Sequence, residues 1–456
     1  MRIGVVALAR PTFDVDSAGT VAGAAVALAE HTAGPVSGTS KPAMDLDAVA
    51  EASAALGDID LLVILQATFT DGTLHRAAAD RHPDVPIVLW AFPEARTGNR
   101  LLLNSLCGIN LGGFTLADRD LRWLYASPED ESTRSLLQTA LDHPTPRPAR
   151  SPFPAADGDV DRVMKRLGAY KIGAVGDHPE GFDPCDFTTA ELTTAGGATV
   201  DRVELADLFA GARVSENDRV SELKRSVGDR LAGLADLDDD GVTASLRLHL
   251  GLQKLGSERA WDAVATRCWP ECFTEMGGAA CAAQAMLADA GIPAVCERDV
   301  FGALTALLLR DSAGSSPFVA DLVDIDIDDD TAAIWHCGIA PLSIAHPDDV
   351  PTATIHPNRG LPLLHQFRIR PGRITIARIS RSRHRVRMAV GGGEILDRPR
   401  PCSGTSAVFA PDGGAAALVD PVMSERLEHH YGIVHGDVRG TLVAVAERLG
   451  IEVVAT

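Results

Sequence analysis

The period of the apolar residues changes partway along the chain, and that change limits the folds open to it. Up to about residue 316, short apolar runs alternate with longer stretches in which apolar residues return every three or four positions. The runs predict strands at 2–8, 60–66 and 86–91, and the longer stretches predict helices at about 17–31, 46–56 and 73–81. Strands separated by helices in this way belong to a parallel sheet covered by helices. From about 317 the apolar residues alternate singly. This predicts strands at 318–327, 331–337, 366–370, 373–380, 384–390 and 405–410, with turns at Arg370-Pro-Gly-Arg373 and Gly391-Gly-Gly393. The fold class expected is α/β: two open, doubly wound (Rossmann-like) parallel-sheet domains followed by a small antiparallel, β-barrel-like domain.

A second parallel unit is marked by an echo of the first. Arg2-Ile-Gly-Val-Val with Pro11, Phe13 and Asp14 returns as Lys171-Ile-Gly-Ala-Val with Pro179, Phe182 and Asp183. Between them a proline-rich stretch at 143–154 reads as a linker, followed by a helix at 158–167. The second unit continues with helices near 187–195, 215–234, 241–256 and 274–289, and with strands at 261–266 and 293–296. A further helix at 299–310 has Asp299 as its N-cap. A last helix runs from Gly436 to about 449, stops at Gly450 and leads into a strand at 451–455. The expected domains are 1–155, 156–316 and 317–456.

Composition narrows the function. The 456 residues carry a formal net charge of −20, which would repel nucleic acid and anionic membranes. A small-molecule partner is expected, with no nucleic acid and no membrane. No apolar run reaches the ~18–20 residues needed to cross a bilayer, and the apolar start is too short for a secretory signal, so a cytoplasmic location is expected. The eight cysteines are scattered through apolar contexts and read as reduced core thiols, the Cys268-Trp-Pro-Glu-Cys272 pair included. Neither first strand is followed by a Gly-x-Gly-x-x-Gly turn, which speaks against a nucleotide-dependent oxidoreductase.

Three groups point to chemistry. In Asp321-Leu-Val-Asp-Ile-Asp-Ile-Asp328 the period of two puts Asp324, Asp326 and Asp328 on one face and Val323, Ile325 and Ile327 on the other. Asp321 falls on the apolar face, where an ionised carboxylate is costly unless it is paired or binds a cation. Glu297 stands just past the carboxyl end of a strand, where open α/β sheets place their ligands. His429-His430 waits near the C-terminus. Two carboxylates and an imidazole make an oxygen-rich site suited to a hard or borderline divalent ion such as Mn²⁺ or Mg²⁺, with positions left for substrate oxygens.

Three stretches carry a resemblance: Cys296-Glu-Arg-Asp-Val-Phe-Gly-Ala-Leu-Thr305, Phe318-Val-Ala-Asp321 and Glu428-His-His-Tyr-Gly-Ile-Val-His-Gly-Asp437. In them the chain resembles the L-fucose isomerase and L-arabinose isomerase superfamily, as a short L-fucose isomerase-like protein. Weaker likeness covers Ala9-Arg-Pro-Thr-Phe-Asp14, Leu65-Gln-Ala-Thr-Phe-Thr70, Leu89-Trp-Ala-Phe-Pro-Glu94 and Leu103-Asn-Ser-Leu-Cys107. The resemblance implies a metal-dependent aldose–ketose isomerase of a pentose or hexose, acting by enediol proton transfer. It implies Glu297, Asp321 and His430 as ligands of a divalent metal, most readily Mn²⁺, with Mg²⁺ or Co²⁺ as alternatives, and Glu297 and Asp321 as the catalytic acid/base pair. It further implies a homotrimer or homohexamer in which Arg10 reaches a neighbouring subunit's site. His429 stands where the longer L-fucose isomerases have Asn, and His336 falls near a further histidine ligand of the arabinose enzymes.

Arg10, Trp90, His336 and His429 complete the expected substrate-binding set, Trp90 by stacking on the sugar's apolar face, a role also open to Trp269. The arginines 368, 370, 373, 378, 381, 383, 385 and 387 read as a solvated or subunit-facing surface. The main alternative within the enzyme class is an isomerase of an acidic, modified hexose that uses some of these arginines. Outside that class stands a non-enzymatic sugar-binding protein.

Overall fold

The computed structural model describes residues 1–144, 153–155 and 160–456. The linker read at 143–154 lies mostly outside them, as does the domain edge expected at 155–156. The first parallel sheet has the order β2-β1-β3-β4-β5, with β1 at Ile3–Leu8, β2 at Ser37–Ala43, β3 at Leu61–Gln66, β4 at Ile87–Ala91 and β5 at Leu121–Tyr125. Every residue of β1, β3 and β4 is buried, as expected for strands covered on both faces. β2 escaped the apolar pattern because it is a polar edge strand containing Pro42. The helix Val15–Ala33 starts where Asp14 accepts a hydrogen bond from the Ser17 N–H at 2.8 Å.

The second parallel sheet is smaller, with order β7-β6-β8-β9: β6 at Lys171–Val175, β7 at Thr199–Val203, β8 at Ala263–Thr266 and β9 at Ala294–Val295. Beyond β9 runs the buried helix Val300–Ala313, capped by Asp299 as expected: the Gly302 N–H donates to Oδ1 at 2.8 Å.

The β-rich region is one nine-stranded sheet: β10 (Phe318–Asp326), β11 (Thr331–His336), β12 (Thr352–Ile355), β13 (Pro362–Arg368), β14 (Gly372–Ser380), β15 (Arg387–Ile395), β16 (Thr405–Pro411), β17 (His430–His435) and β18 (Glu452–Ala455). Six of these strands close on themselves. β16, β11, β10, β17, β14 and β15 pair antiparallel in turn, and a β15–β16 pairing returns to the start. This is a barrel, which leaves no edge among its six strands. Two pairings depart from the antiparallel expectation, since β13 lies parallel to β16 and β18 parallel to β15.

The glycine run read as a turn is instead inside β15, opposite residues 374–376 of β14. A Cβ on Gly391 would lie 2.5 Å from the Thr456 carbonyl, and one on Gly393 would press on that of Ala410. The run is needed where the barrel closes and neighbouring backbones crowd the strand.

Arg370 and Arg385 are solvated as expected, but two arginines of this region are not. Arg378 and Arg387 are among the largest fully buried side chains, paired with Asp299 and Glu425. Most of the others also carry carboxylate partners: Arg368 with Asp349, Arg373 with Asp412, Arg381 with Glu191 and Arg385 with Glu452.

Among the described residues no helix is long and apolar enough to cross a membrane.

Candidate metal centre and cavity

Strand register assembles half of the site. On β10 and β17, Asp321 and His430 are direct cross-strand partners. Adjacent residues in this pairing have side chains on the same face, close enough to interact, and His430 Nε2 stands 3.7 Å from Asp321 Oδ1. The third group arrives from the second parallel sheet. Immediately past β9 the chain turns through Glu297 (φ 60°, ψ 18°) and Arg298 (φ 56°), both left-handed. Such a conformation costs a non-glycine residue on the order of 1–3 kcal/mol and persists only where the surroundings enforce it. Here it aims the Glu297 carboxylate across the cavity: Oε2 lies 3.0 Å from His429 Nε2 and 3.5 Å from His430 Nε2. Oε1 receives the Trp269 indole N–H at 3.3 Å.

His430 is held in the tautomer a metal ligand needs. Its Nδ1 donates to Asp299 Oδ2 at 2.9 Å, which leaves the Nε2 lone pair facing Glu297 and Asp321. Asp299 is in turn gripped by both Nη atoms of Arg378, Nη2 to Oδ1 at 3.0 Å. Burial would raise the Asp299 carboxyl, but the Arg378 charge and the His430 hydrogen bond hold it far below the ordinary carboxylate range. Neither Asp299 nor Arg378 was singled out from sequence for this role. Asp299 was explained by its cap, and Arg378 by the alternation of a strand; only their meeting reveals the chain Arg378–Asp299–His430.

The electrostatics ask for a cation. Burial would also raise Glu297, yet the His429 hydrogen bond and the attraction of the imidazoles of His430, His429 and His336 in their protonated forms outweigh it and bring its carboxyl to about 2. Asp321 is pushed up to about 7 by burial, opposed by His430 and reinforced by the neighbouring Glu297. Its Oδ1 is buried without a hydrogen-bond partner. An orphaned carboxylate oxygen beside a second carboxylate and an imidazole lone pair fits a divalent ion. Cys185, Glu297, His429 and His430 also bring ligand atoms within 4.8 Å of one another. Cys185 is a weaker candidate than Asp321 because burial, with Asp299 and Glu297 nearby, pushes its thiol well above the ordinary value and so keeps it protonated.

Around these groups is a cavity that also exposes Arg10, Phe13, Phe69, Trp269, His336 and Arg359. It lies at the carboxyl ends of β1, β3, β8 and β9, where the barrel strands β10, β11 and β17 meet the two parallel sheets. His336 ends β11 with its ring centroid 5.7 Å from that of His430. Its Nδ1 accepts from the Cys337 backbone N–H at 2.8 Å, so in the neutral ring the proton sits on Nε2, which makes that nitrogen a donor. His429 packs edge-on against Phe182, with centroids 5.8 Å apart. Arg10 lines the cavity of its own chain, held by Asp71 at 3.3 Å.

Trp90 is the expected residue that the structure moves away. It is fully buried on β4, donates from its indole to the Ala126 carbonyl at 3.0 Å and packs against Phe92 in the core of the first sheet. A tryptophan within a central strand faces the helices that cover the sheet; the one that reaches the cavity, Trp269, comes after β8, in the loop.

Comparison with known proteins adds to this geometry. The model of the L-fucose isomerase C-terminal domain matches residues 364–456. A protein named sulfoquinovose isomerase from Alkalicoccus urumqiensis is 30% identical over 402 residues, 87% of this chain and 86% of that one. Proteins of the same name from Priestia megaterium and Clostridium sp. (strain MSTE9) are 29% identical over 398 and 399 residues, 86% of this chain and 85% of each of theirs.

Proposed function

The chain belongs to the L-fucose isomerase-like family that includes the sulfoquinovose isomerases, and from that premise we propose that it is a metal-dependent aldose–ketose isomerase of a sugar bearing an acidic group, sulfoquinovose being the nearest candidate. The observation that carries the reading is the convergence of Glu297, Asp321 and His430 on one point, with Asp321 Oδ1 unpartnered. These three side chains would hold the metal, most readily Mn²⁺, with Mg²⁺ or Co²⁺ as alternatives.

The reaction moves a proton between C2 and C1 of an open-chain sugar through an enediol. A divalent ion held by these side chains would supply Lewis acidity that lowers the cost of the enediolate by several kcal/mol. Glu297 and Asp321, both within 3.7 Å of His430 Nε2, remove and return the proton. Asp299, itself held by Arg378, keeps a proton of His430 on Nδ1 and fixes the ring's orientation. His336 donates from Nε2 to a sugar oxygen, and Trp269 closes one wall against water. In this reading the three domains, 1–155, 156–316 and 317–456, each contribute a wall of the cavity, and the protein works as a cytoplasmic homotrimer or homohexamer.

The decisive measurement is turnover of sulfoquinovose in D₂O with added Mn²⁺, before and after EDTA. Solvent deuterium entering at C1 or C2, lost with the metal and restored by it, is the expected result. Label strictly retained would mean hydride transfer instead, and activity indifferent to EDTA would remove the metal.

A further inference from the structure

The cavity holds two arginines in different circumstances. Arg10 is anchored to Asp71 at 3.3 Å. Arg359 has no carboxylate partner among the described residues. Its guanidinium lies against two aromatic faces, 4.9 Å from the Trp269 centroid and 5.2 Å from that of Phe273. Arg10 stacks on Trp269 too, at 5.0 Å, so one indole carries two guanidinium groups while its N–H reaches Glu297. Two like charges sharing an aromatic ring repel each other, and in a protein of net charge −20 an unpaired arginine facing a cavity is a vacancy for an anion.

The loop that carries Arg359 is well defined. The N–H groups of Arg359 and Gly360 both donate to the His356 carbonyl, at 3.1 and 2.8 Å, and the Asn358 N–H donates to His356 Nδ1 at 3.2 Å. Asn358 lines the cavity beside it with Oδ1 unpartnered. The arginines of the barrel, by contrast, are largely occupied by carboxylates of the chain itself and are poor candidates for the substrate's charge.

Resting on the isomerase reading above, we propose that Arg359, with Arg10 on the other contact of Trp269, is the specificity determinant that binds the sulfonate of the substrate at the end of the cavity away from the reacting carbons. The planar fork of an arginine pairs two N–H donors with two sulfonate oxygens, and the indole fixes the plane of the fork. Trp269 thereby sets the distance between the charged end of the sugar and Glu297.

The test compares kcat and KM for sulfoquinovose and for the hexose with a hydroxyl in place of its sulfonate. The proteins are the wild type, Arg359→Gln, Arg359→Lys and, as a control, Arg385→Gln, an exposed barrel arginine paired with Glu452. Binding of methanesulfonate is followed separately by tryptophan fluorescence. Arg359→Gln is expected to raise KM for sulfoquinovose by about thirtyfold with kcat little changed, a loss typical of a hydrogen bond to a charged group. Methanesulfonate binding weakens in parallel, Arg359→Lys recovers part of both, and Arg385→Gln recapitulates the wild type. Equal losses for the sulfonated and hydroxylated sugars, or methanesulfonate binding as tightly to Arg359→Gln as to the wild type, would overturn the assignment. Should the wild type isomerise neither sugar, the isomerase reading fails on its own. Methanesulfonate then decides alone: binding lost in Arg359→Gln upholds the anion site, and no binding to the wild type overturns it.

Discussion

The two ends of the cavity are built differently. Around His430 the groups stand on a closed barrel and on the turn after β9, and each is fixed by a second group: Asp321 by strand register, His430 by Asp299, Asp299 by Arg378. Around Trp269 the groups stand on loops after β1, β8 and β12, and the guanidinium of Arg359 lies against two ring faces. Proton transfer tolerates misplacement of a fraction of an ångström poorly, so its residues belong on rigid elements. Loops, by contrast, are able to change without disturbing groups held on rigid elements, which suits them to the substrate-recognition role proposed for the Trp269 end.

The contrast is broken most sharply at Glu297. Glu297→Gln keeps the shape but removes a ligand and a proton carrier; kcat is expected to fall at least about a thousandfold with the Trp269 end still binding methanesulfonate. Loss of both together would mean that the two ends are not separable.

The scaffold under the Arg10 loop is expected to respond to acid. His75 is fully buried, with Nε2 2.5 Å from Gln66 Oε1 and Nδ1 3.1 Å from the Asp71 carbonyl, one of which accepts the single N–H of the neutral ring, below the segment that anchors Arg10. Burial, opposed by Asp71, lowers its imidazole from 6.5 to about 4. Above 6.5 the imidazole is neutral folded or unfolded and the shift has no effect on stability; as pH falls below 6.5 the unfolded chain takes the proton first, and by pH 4 the folded state has lost about 3 kcal/mol. Thermal unfolding followed from pH 7 to 4 should show this limb, and His75→Gln should flatten it. A variant with an unchanged slope would place the acid sensitivity elsewhere.

The smallest effect sharpens the rigid end. Asp299→Asn keeps an oxygen for His430 but discards the charge that fixes its tautomer, and Mn²⁺ affinity measured by calorimetry should drop ten- to a hundredfold. An unaltered affinity would reduce Asp299 to the helix cap it also is.

How much of this was legible in the chain follows from what each residue does locally. Asp321 announced itself because a carboxylate on an apolar face has no cheap local explanation. Glu297 stood where parallel sheets bind ligands, and the family likeness joined both to His430. The inner strands of the parallel sheets and most barrel strands follow from apolar period, whereas the edge strands β2, β5 and β7 do not. Strand β17 did not, because its run of His430, Tyr431, Gly432, Ile433, Val434 and His435 spends its polar residues on the site rather than on alternation. Asp299 and Arg378 had sufficient local reasons to be where they are, which concealed the shared one. Arg359 sits in an irregular loop with no period to single it out, and Trp90 and Trp269 differ only in lying within a strand or just after one.

The position of β17 has a consequence for biosynthesis. It is inserted between β10 and β14, and it is translated after both. The two parallel sheets emerge earlier and are able to fold while the ring remains open. Until β17 is made, Asp321 has no His430 opposite it. A chain terminated before that strand would carry most of the cavity wall, including both arginines of the Trp269 stack, and still lack the imidazole around which the chemistry is arranged.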